Sequence, residues 1–406
     1  MSLIPSKIIG LDIGSSTVTA VAADIGLSED GEQIVSITGV GSSPSNGLRK
    51  GIIINIDSTV SAIKDAVSQA NSMSGSEIRD VVVNISGKHI KSLDSNGVVE
   101  ITNNEVSSND IEKVISVAKA VPIPNDRELL HVIAQDFLID GQEGIKEPLG
   151  ISGVRLESKI HLITGSVSCA RNIVKCANLS GLNVLNLVFS PLASAEAVLT
   201  EDEKELGVCL VDFGGGTCDI SVYHSGTIKH TSVIPVGGNH ITNDIASGLQ
   251  IPILLAERIK IEFDSEIDRK IEFTSNGDSE ARFVSNDFLR KIIFARLEEI
   301  FSLIQKELDE AEIQNYITGG VVLTGGASNL SACTNIAQSV LNLPIRKAIP
   351  RKHLGLNDLI KYPEYSSACG LIHYALNSSN QSAYLNDKSK FKNFFKRAGS
   401  WFSEHF

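Results

Sequence analysis

The chain alternates between short apolar runs and stretches in which apolar residues recur every three or four positions. Val- and Ile-rich runs at 8–22 (IIGLDIGSSTVTAVA), 34–40, 81–85, 182–188, 208–211, 217–223, 230–235 and 321–323 predict strands. Helical spacing at 58–71, through Val60, Ile63, Ala66, Val67 and Ala70, predicts a helix capped by Asp57 or Ser58. Further helices are predicted at 110–120, ended by Pro122 and Pro124, and at 168–179. Others fall at 191–199, from 239, at 252–262, at 286–311 and at 365–377. Helix 286–311 turns Phe288, Ile292, Ala295, Ile300, Leu303 and Ile304 to its apolar side. In 365–377 the small residues Ala368, Gly370 and Ala375 permit close packing or a hinge. Residues 41–51 (GSSPSNGLRKG) predict a loop, and 264–281 predict loops and edge strands. Residues 86–164 hold short strands at 97–101 and 154–163 around one helix, a small α+β insertion in an otherwise α/β chain.

One unit of this pattern occurs twice. An apolar strand ends in Asp12, followed by Gly14, Ser15, Ser16 and Thr17. Another ends in Asp212, followed by Gly214, Gly215, Gly216 and Thr217, at a common offset of 200 residues. Each reads as strand, tight turn, strand. Glycine lets backbone N–H groups approach an anion closely, and an Asp at the mouth is a hard ligand for Mg²⁺ or its waters. The two units are two unrelated hairpins, or a duplicated fold whose phosphate-binding turns face one another across a cleft. A third turn follows strand 321–323, with Gly325, Gly326, Ala327 and Asn329 before a helix, a ready nucleotide site. Gly238 opens the helix after strand 230–235.

Composition narrows the function. The 406 residues carry a net charge of −12, which argues against nucleic-acid binding. No apolar run approaches the roughly 18 residues a bilayer span needs, and the start predicts no signal peptide. Six cysteines lack C-x-x-C spacing and predict reduced thiols, hence a cytoplasmic protein. No H-E-x-x-H occurs among the nine histidines. Residues 378–390 read as a linker. Beyond it, 391–406 (FKNFFKRAGSWFSEHF) holds the only Trp and five of the fourteen Phe, so this segment differs from the rest of the chain. Helical spacing puts Phe391, Phe394, Phe395, Trp401, Phe402 and Phe406 on one face, with Lys396 and Arg397 at its border. On an anionic membrane each aromatic contributes about 1.5–3 kcal/mol at most and each cation about 1 kcal/mol, enough for reversible binding. The alternative is a terminal helix packed on its own domain or a partner.

The segments DIGSSTVTA, VDFGGGTCDI and TGGASNL resemble the phosphate 1, phosphate 2 and adenosine motifs of the actin/Hsp70/sugar-kinase superfamily. SGKHI (86–90), LHVIAQDFLIDGQEGIKEPLGISGVRLESKIHLITG (130–165), LTEDEKELGVCLVDFGGGT (199–217), VVLTGGA (321–327) and the basic aromatic tail resemble the FtsA family of bacterial cell-division proteins. The resemblance covers essentially the whole chain. It implies a duplicated actin-like (ribonuclease H-like) α/β fold with two halves around a nucleotide cleft. The first half would comprise 1–85, 165–193 and 365–377, with 86–164 as the family's inserted subdomain. The second would comprise 194–229 and 312–364, with 230–311 inserted; 378–390 would be the linker and 391–406 the membrane-targeting helix.

The resemblance further implies ATP and Mg²⁺ as cofactors, with Asp12 and Asp212 holding the metal through water and Glu257 and Lys260 lining adenine and ribose. Its implied partners are the C-terminal peptide of FtsZ, further copies of the chain in a filament, later division proteins and anionic lipids. It places the protein peripherally on the cytoplasmic face of the inner membrane at the division site. Arg296 and Glu299 are the candidate FtsZ contacts, or else a solvated helix face. The water-aligning position of well-hydrolysing relatives falls on Ser190, so the resemblance implies ATP binding with weak hydrolysis, if any. Alternatives are a pilus-assembly adaptor of the PilM type, a sugar or acetate kinase, and an Hsp70-type chaperone; the last leaves no room for its peptide-binding domain after residue 380.

Overall fold

The computed structural model describes residues 5–27, 33–267, 270–274, 281–351 and 353–381. The aromatic tail 391–406, from Phe391 to Phe406, and most of the predicted linker lie outside the described residues.

The chain opens with an antiparallel meander, β1 (Lys7–Ile13), β2 (Thr17–Leu27) and β3 (Gln33–Pro44). A small hairpin, β4 (Leu48–Arg49) and β5 (Ile52–Ile53), leads to α1 (Ile56–Ser74), and β6 (Asp80–Ile85) returns parallel to β1. An inserted unit follows: β7 (Lys91–Glu100), α2 (Ser108–Ala118), β8 (Arg127–Ile139), β9 (Gln142–Ile145) and β10 (Arg155–Ser166), its sheet ordered β7-β10-β8-β9. Helix α3 (Val167–Leu179) and β11 (Asn183–Phe189) complete the first half.

Helices α4 (Ser190–Val198) and α5 (Glu201–Leu206) then lead to a second meander, β12 (Val208–Phe213), β13 (Cys218–His224) and β14 (Thr227–Ile234). Next come α6 (Gly238–Leu249), α7 (Ile253–Glu262), β15 (Lys270–Phe273), β16 (Arg282–Ser285) and α8 (Asn286–Glu310). Strand β17 (Val321–Thr324) lies parallel to β12, followed by α9 (Cys333–Leu341) and β18 (Ile345–Lys347). Strand β19 (Leu354–Gly355), α10 (Asn357–Ile360) and α11 (Ser366–Gln381) end the described chain.

The two main sheets are ordered β11-β6-β1-β2-β3-β19 and β14-β13-β12-β17-β18. Apart from β19, one order repeats the other strand for strand. The duplicated reading of the hairpins is therefore the correct one.

Helix α4 is buried nearly throughout, and its polar residues Ser190, Ser194 and Glu196 all have hydrogen-bond partners. It packs on α11, and α11 packs on β1. The approach is close because of glycine: a Cβ on Gly370 would lie 1.8 Å from the Ala193 carbonyl oxygen, and one on Gly10 2.0 Å from that of Ala368. Small residues in α11 thus serve packing. All six cysteines are free thiols, five of them buried.

Several expectations need correction. The cap of α1 is Asn55, whose Oδ1 accepts from Ser58 N at 2.9 Å, not Asp57 or Ser58. Helix α2 starts earlier, because Ser107 and Asp110 form a reciprocal capping box. Strand β3 runs through 41–44, which was expected to be loop. Its glycines serve contact with α1; a Cβ on Gly41 would lie 1.9 Å from the Ala66 carbonyl oxygen. Strand β8 was not anticipated, because His131 and Gln135 interrupt its apolar run. His131 is nevertheless buried, accepting from Phe189 N at 3.0 Å and bonded to Tyr374 Oη at 3.1 Å. On α8 the buried stripe is Leu289, Ile293, Leu297, Ile300, Phe301, Ile304 and Leu308, while Phe288 is 43% exposed and Ala295 is exposed. Two apolar stripes overlap along this helix, and contact with α6 and α9 selects one. Helix α11 extends into 378–381, the expected start of the linker.

Replacing Gly370 by Ala should destabilise the protein by about 1–3 kcal/mol, the usual cost of overpacking. Gly26→Ala, where a Cβ meets nothing within 4 Å, is the control. Thermal melts that shift equally for the two variants would refute the close-packing account.

Candidate functional site

The two hairpin turns are built alike. Gly14 N donates to Thr17 O at 3.0 Å, and Gly214 N donates to Thr217 O at 3.0 Å, the same bond at the same offset. The turns touch across the cleft. A Cβ on Gly215 would lie 1.9 Å from Ser16 Oγ, and one on Gly216 2.6 Å from Ser15 Oγ. Ser16 Oγ also donates to Asn239 Oδ1 at 2.9 Å, at the start of α6. Helix α6 is fastened to the second turn, with Gly238 N donating to Gly214 O at 3.0 Å and Asn239 N to Gly215 O at 2.8 Å.

The third turn packs on the second strand. Gly325 adopts φ +83°, and a Cβ there would lie 2.4 Å from Asp212 Oδ1, so geometry and space both require glycine. Ala327 approaches Gly238, 3.0 Å from the position of a Cβ on that glycine. Lys260 Nζ donates to Glu257 Oε2 at 2.7 Å, Thr242 Oγ1 at 2.9 Å and Gly238 O at 3.4 Å. Glu257, Lys260, Gly238 and Ala327 therefore form one wall beside the second turn. Gly326 is exposed next to them, and Asn329 turns away, donating to Glu364 at 2.8 Å and accepting from Lys347 at 3.0 Å.

Asp12 and Asp212 close the floor of the cleft. Asn84 Nδ2 donates to Asp12 Oδ1 at 2.5 Å and to Ser190 Oγ at 3.1 Å, while Ser190 Oγ donates to Ile85 O at 3.3 Å. Ser194 Oγ donates to Asp212 Oδ2 at 2.5 Å. A third carboxylate belongs with them: Asp219 is the cross-strand neighbour of Asp212, accepts from Ser86 Oγ at 2.6 Å and is buried. Asp219 lies outside the repeated D-x-G-x-x-T pattern. The available signal was the cross-strand pairing itself, since two aspartates facing each other on one hairpin are unfavourable without a cation. The first hairpin carries Thr19 at the equivalent position.

Burial raises all three carboxyls. Asp12 is pushed up to about 8, with the Asp212 charge adding to the effect. Asp219 is pushed up to about 8 by burial and then Asp212, and Asp212 to about 6 by burial, opposed by the Ser194 hydrogen bond. Such a set suits a hard divalent cation. Among the described residues no three His, Cys, Asp or Glu side chains stand close enough to hold an ion themselves. Water and phosphate oxygens would have to complete its shell, and the glycine turns fit a phosphate.

Residues 87–164 match the family model "SHS2 domain inserted in FTSA", and 209–370 match "Cell division protein FtsA". The cell division protein FtsA of Pseudomonas aeruginosa is 42% identical over 397 residues, covering 94% of each chain. That of Neisseria meningitidis serogroup B is 45% identical, over 90% of this chain and 89% of the relative. The chain belongs to the FtsA family of cell-division proteins. Its backbone is also similar to a PilM–PilN type IV pilus biogenesis complex (TM-score 0.65, 16% identity, 90% of this chain and 97% of the other). MreB5 of Spiroplasma citri bound to ADP is a further neighbour (TM-score 0.53, 15% identity, 94% and 100%). These two likenesses establish the actin-like fold only, so the PilM-type reading gives way to FtsA membership. Among the described residues no helix is long and apolar enough to cross a membrane.

Arg296, on α8, chelates Asp244 of α6 through Nε (2.5 Å) and Nη2 (2.9 Å), and its Nη1 donates to Glu299 at 2.6 Å. Glu299 is otherwise exposed. On another flank of α8, a cavity of about 370 Å³ opens toward α9, lined by Arg290, Phe294, Glu298, Asn335 and Ser339 among others.

The raised carboxyls make a signed prediction. An unfolded Asp titrates near 4, so between about pH 4 and pH 8 the folded chain binds more protons at Asp219 than the unfolded chain does. Stability from this group is lost as pH rises through that window. In nucleotide-free, Mg²⁺-free buffer, Asp219→Asn should therefore gain stability relative to the native chain from pH 5 to pH 8. Urea unfolding across that range measures the difference; a constant difference would refute the buried-charge account.

Proposed function

We propose that this FtsA-family protein binds Mg²⁺-ATP between its two glycine hairpins and serves as an adaptor that tethers FtsZ filaments to the cytoplasmic face of the membrane. The observation that carries the nucleotide reading is the pair of hairpins with identical closing bonds, meeting over three carboxylates, of which Asp212 and Asp219 are buried and Asp12 partly so. Asp12 and Asp212, joined by Asp219, would orient the cation's waters. Gly14 to Thr17 and Gly214 to Thr217 would cradle phosphate, and Gly238, Glu257, Lys260 and the turn from Gly325 to Ala327 would hold the nucleoside. The bound cation would offset the carboxylate charge.

Ser190 is engaged by Asn84 and Ile85 and offers no base for aligning water, which supports slow hydrolysis. Nucleotide occupancy would then act chiefly on the angle between the halves, and through it on self-association into filaments. In this reading the halves would be 1–85, 165–193 and 365–377 against 194–229 and 312–364, with 86–164 and 230–311 inserted. We assign recruitment of later division proteins to the first insertion and the FtsZ peptide to the second. Within the second, Arg296 and Glu299 are the sequence-based candidates, and the cavity beside Arg290 and Phe294 is an alternative on the same helix. Arg296→Ala that lowers stability but spares FtsZ binding, while Phe294→Ala weakens FtsZ binding, would favour the cavity; the reverse pattern would favour Arg296.

Membrane attachment rests on the one-sided aromatic pattern of 391–406. Flotation with anionic vesicles, Mg²⁺-ATP and FtsZ tests the adaptor reading. The full chain should float and carry FtsZ with it, and a chain ending at Ser389 should leave both at the bottom. If the full chain stays at the bottom, the tail is a packing helix and the tether is wrong.

A further inference from the structure

The β4–β5 hairpin lies outside the three glycine turns, yet its tip enters the cleft. Its two-residue loop is Lys50-Gly51, with φ +52° and +77°. Two left-handed residues in a row make the type I′ geometry that suits a two-residue hairpin. Asn, Asp or Gly is the residue such a turn prefers first; lysine has no local reason to be there and is disfavoured in that conformation. A residue held against its backbone preference beside a site directs attention to its side chain.

The tip is fixed by three neighbours. Gly51 N donates to Ser15 Oγ of the first hairpin at 3.1 Å. A Cβ on Gly216 of the second hairpin would lie 3.1 Å from Lys50 N. A Cβ on Gly51 would lie 2.5 Å from the carbonyl oxygen of Ser86, the residue whose hydroxyl bonds Asp219. Lys50 is half-buried, and no carboxylate pairs with it among the described residues. Its charge reaches across the cleft to α6. Burial holds the His240 imidazole below its ordinary value, and the Lys50 and Arg296 cations lower it further.

A half-buried lysine without a carboxylate partner among the described residues, its backbone held where both phosphate turns meet, calls for an anion. We propose that Lys50 is a specificity residue for the nucleotide: its ammonium contacts the terminal phosphate of a nucleoside triphosphate and makes the cleft prefer triphosphate over diphosphate. This rests on the nucleotide reading above. Lysine suits the role as a mobile point charge on a phosphate oxygen.

The test measures binding of Mg²⁺-ATP and Mg²⁺-ADP to the full chain by calorimetry, for the native protein and for Lys50→Asn. Asn is chosen because it fits the I′ turn, so the hairpin keeps its shape; an unchanged or raised melting temperature verifies this. Native protein should prefer ATP. In the variant ATP binding should weaken about ten-fold or more, the scale of a lost charge-assisted hydrogen bond, with ADP binding within about two-fold of native. Lys50→Arg should retain part of the preference. Unchanged ATP affinity in Lys50→Asn, or equal loss of ATP and ADP, would overturn the assignment while leaving the nucleotide site standing. Failure of the native chain to bind either nucleotide would remove the site and the assignment together.

Discussion

Helix α11 meets β1 and α4 at points where a hydrogen atom fits and a methyl group does not. That close approach is the constraint from which the rest follows. It brings the interior helix α4 between the sheets, and α4 ends close to the start of the second meander. Because α4 is buried nearly throughout, its packing sets the distance between the halves, and two of its serines add directional bonds. Ser194, on the same helix, reaches Asp212 of the second half, and Ser190 reaches Asn84 of the first. One short helix thus sets both packing and site.

The resulting geometry brings like charges together. Two cross-strand aspartates and a third from the other half share a floor largely withdrawn from water, and burial disfavours their ionised forms. The protein carries this unfavourable arrangement where a cation and phosphates would relieve it. The turns around it supply what an anion needs: close backbone, small hydroxyls and, from the β4–β5 hairpin, a lysine. Under the proposed function, ligand-free stability and nucleotide affinity would be coupled through the same carboxylates.

The inserted sheet is fastened to both halves by polar contacts. His131 sits between β11 and Tyr374, and Ser92 Oγ donates to Thr231 O of β14 at 2.8 Å. His161 bonds Asp94 at 2.6 Å and Thr231 Oγ1 at 2.9 Å. A change in the angle between the halves therefore has to be accommodated at this sheet, which gives a physical route from the cleft to the inserted unit.

Much of this was legible in the sequence. The offset of 200 residues between Asp12 and Asp212 identified the duplication, because strand, turn and strand are local structures and their residues sit side by side in the chain. Apolar runs located most core strands for the same reason. Long-range choices were not legible. Which stripe of α8 is buried depended on α6 and α9; Gly41 read as a loop signal until α1 was seen against it; His131 interrupted a strand pattern although Tyr374 satisfies it in the core. Asp219 was within reach of the register of its own hairpin, whereas Lys50 joined the site only through the approach of a distant hairpin. Sequence by itself determined the local units and their repetition, since these depend on residues a few positions apart. Tertiary structure alone decided which charges share the cleft, because that depends on contacts between segments far apart in the chain.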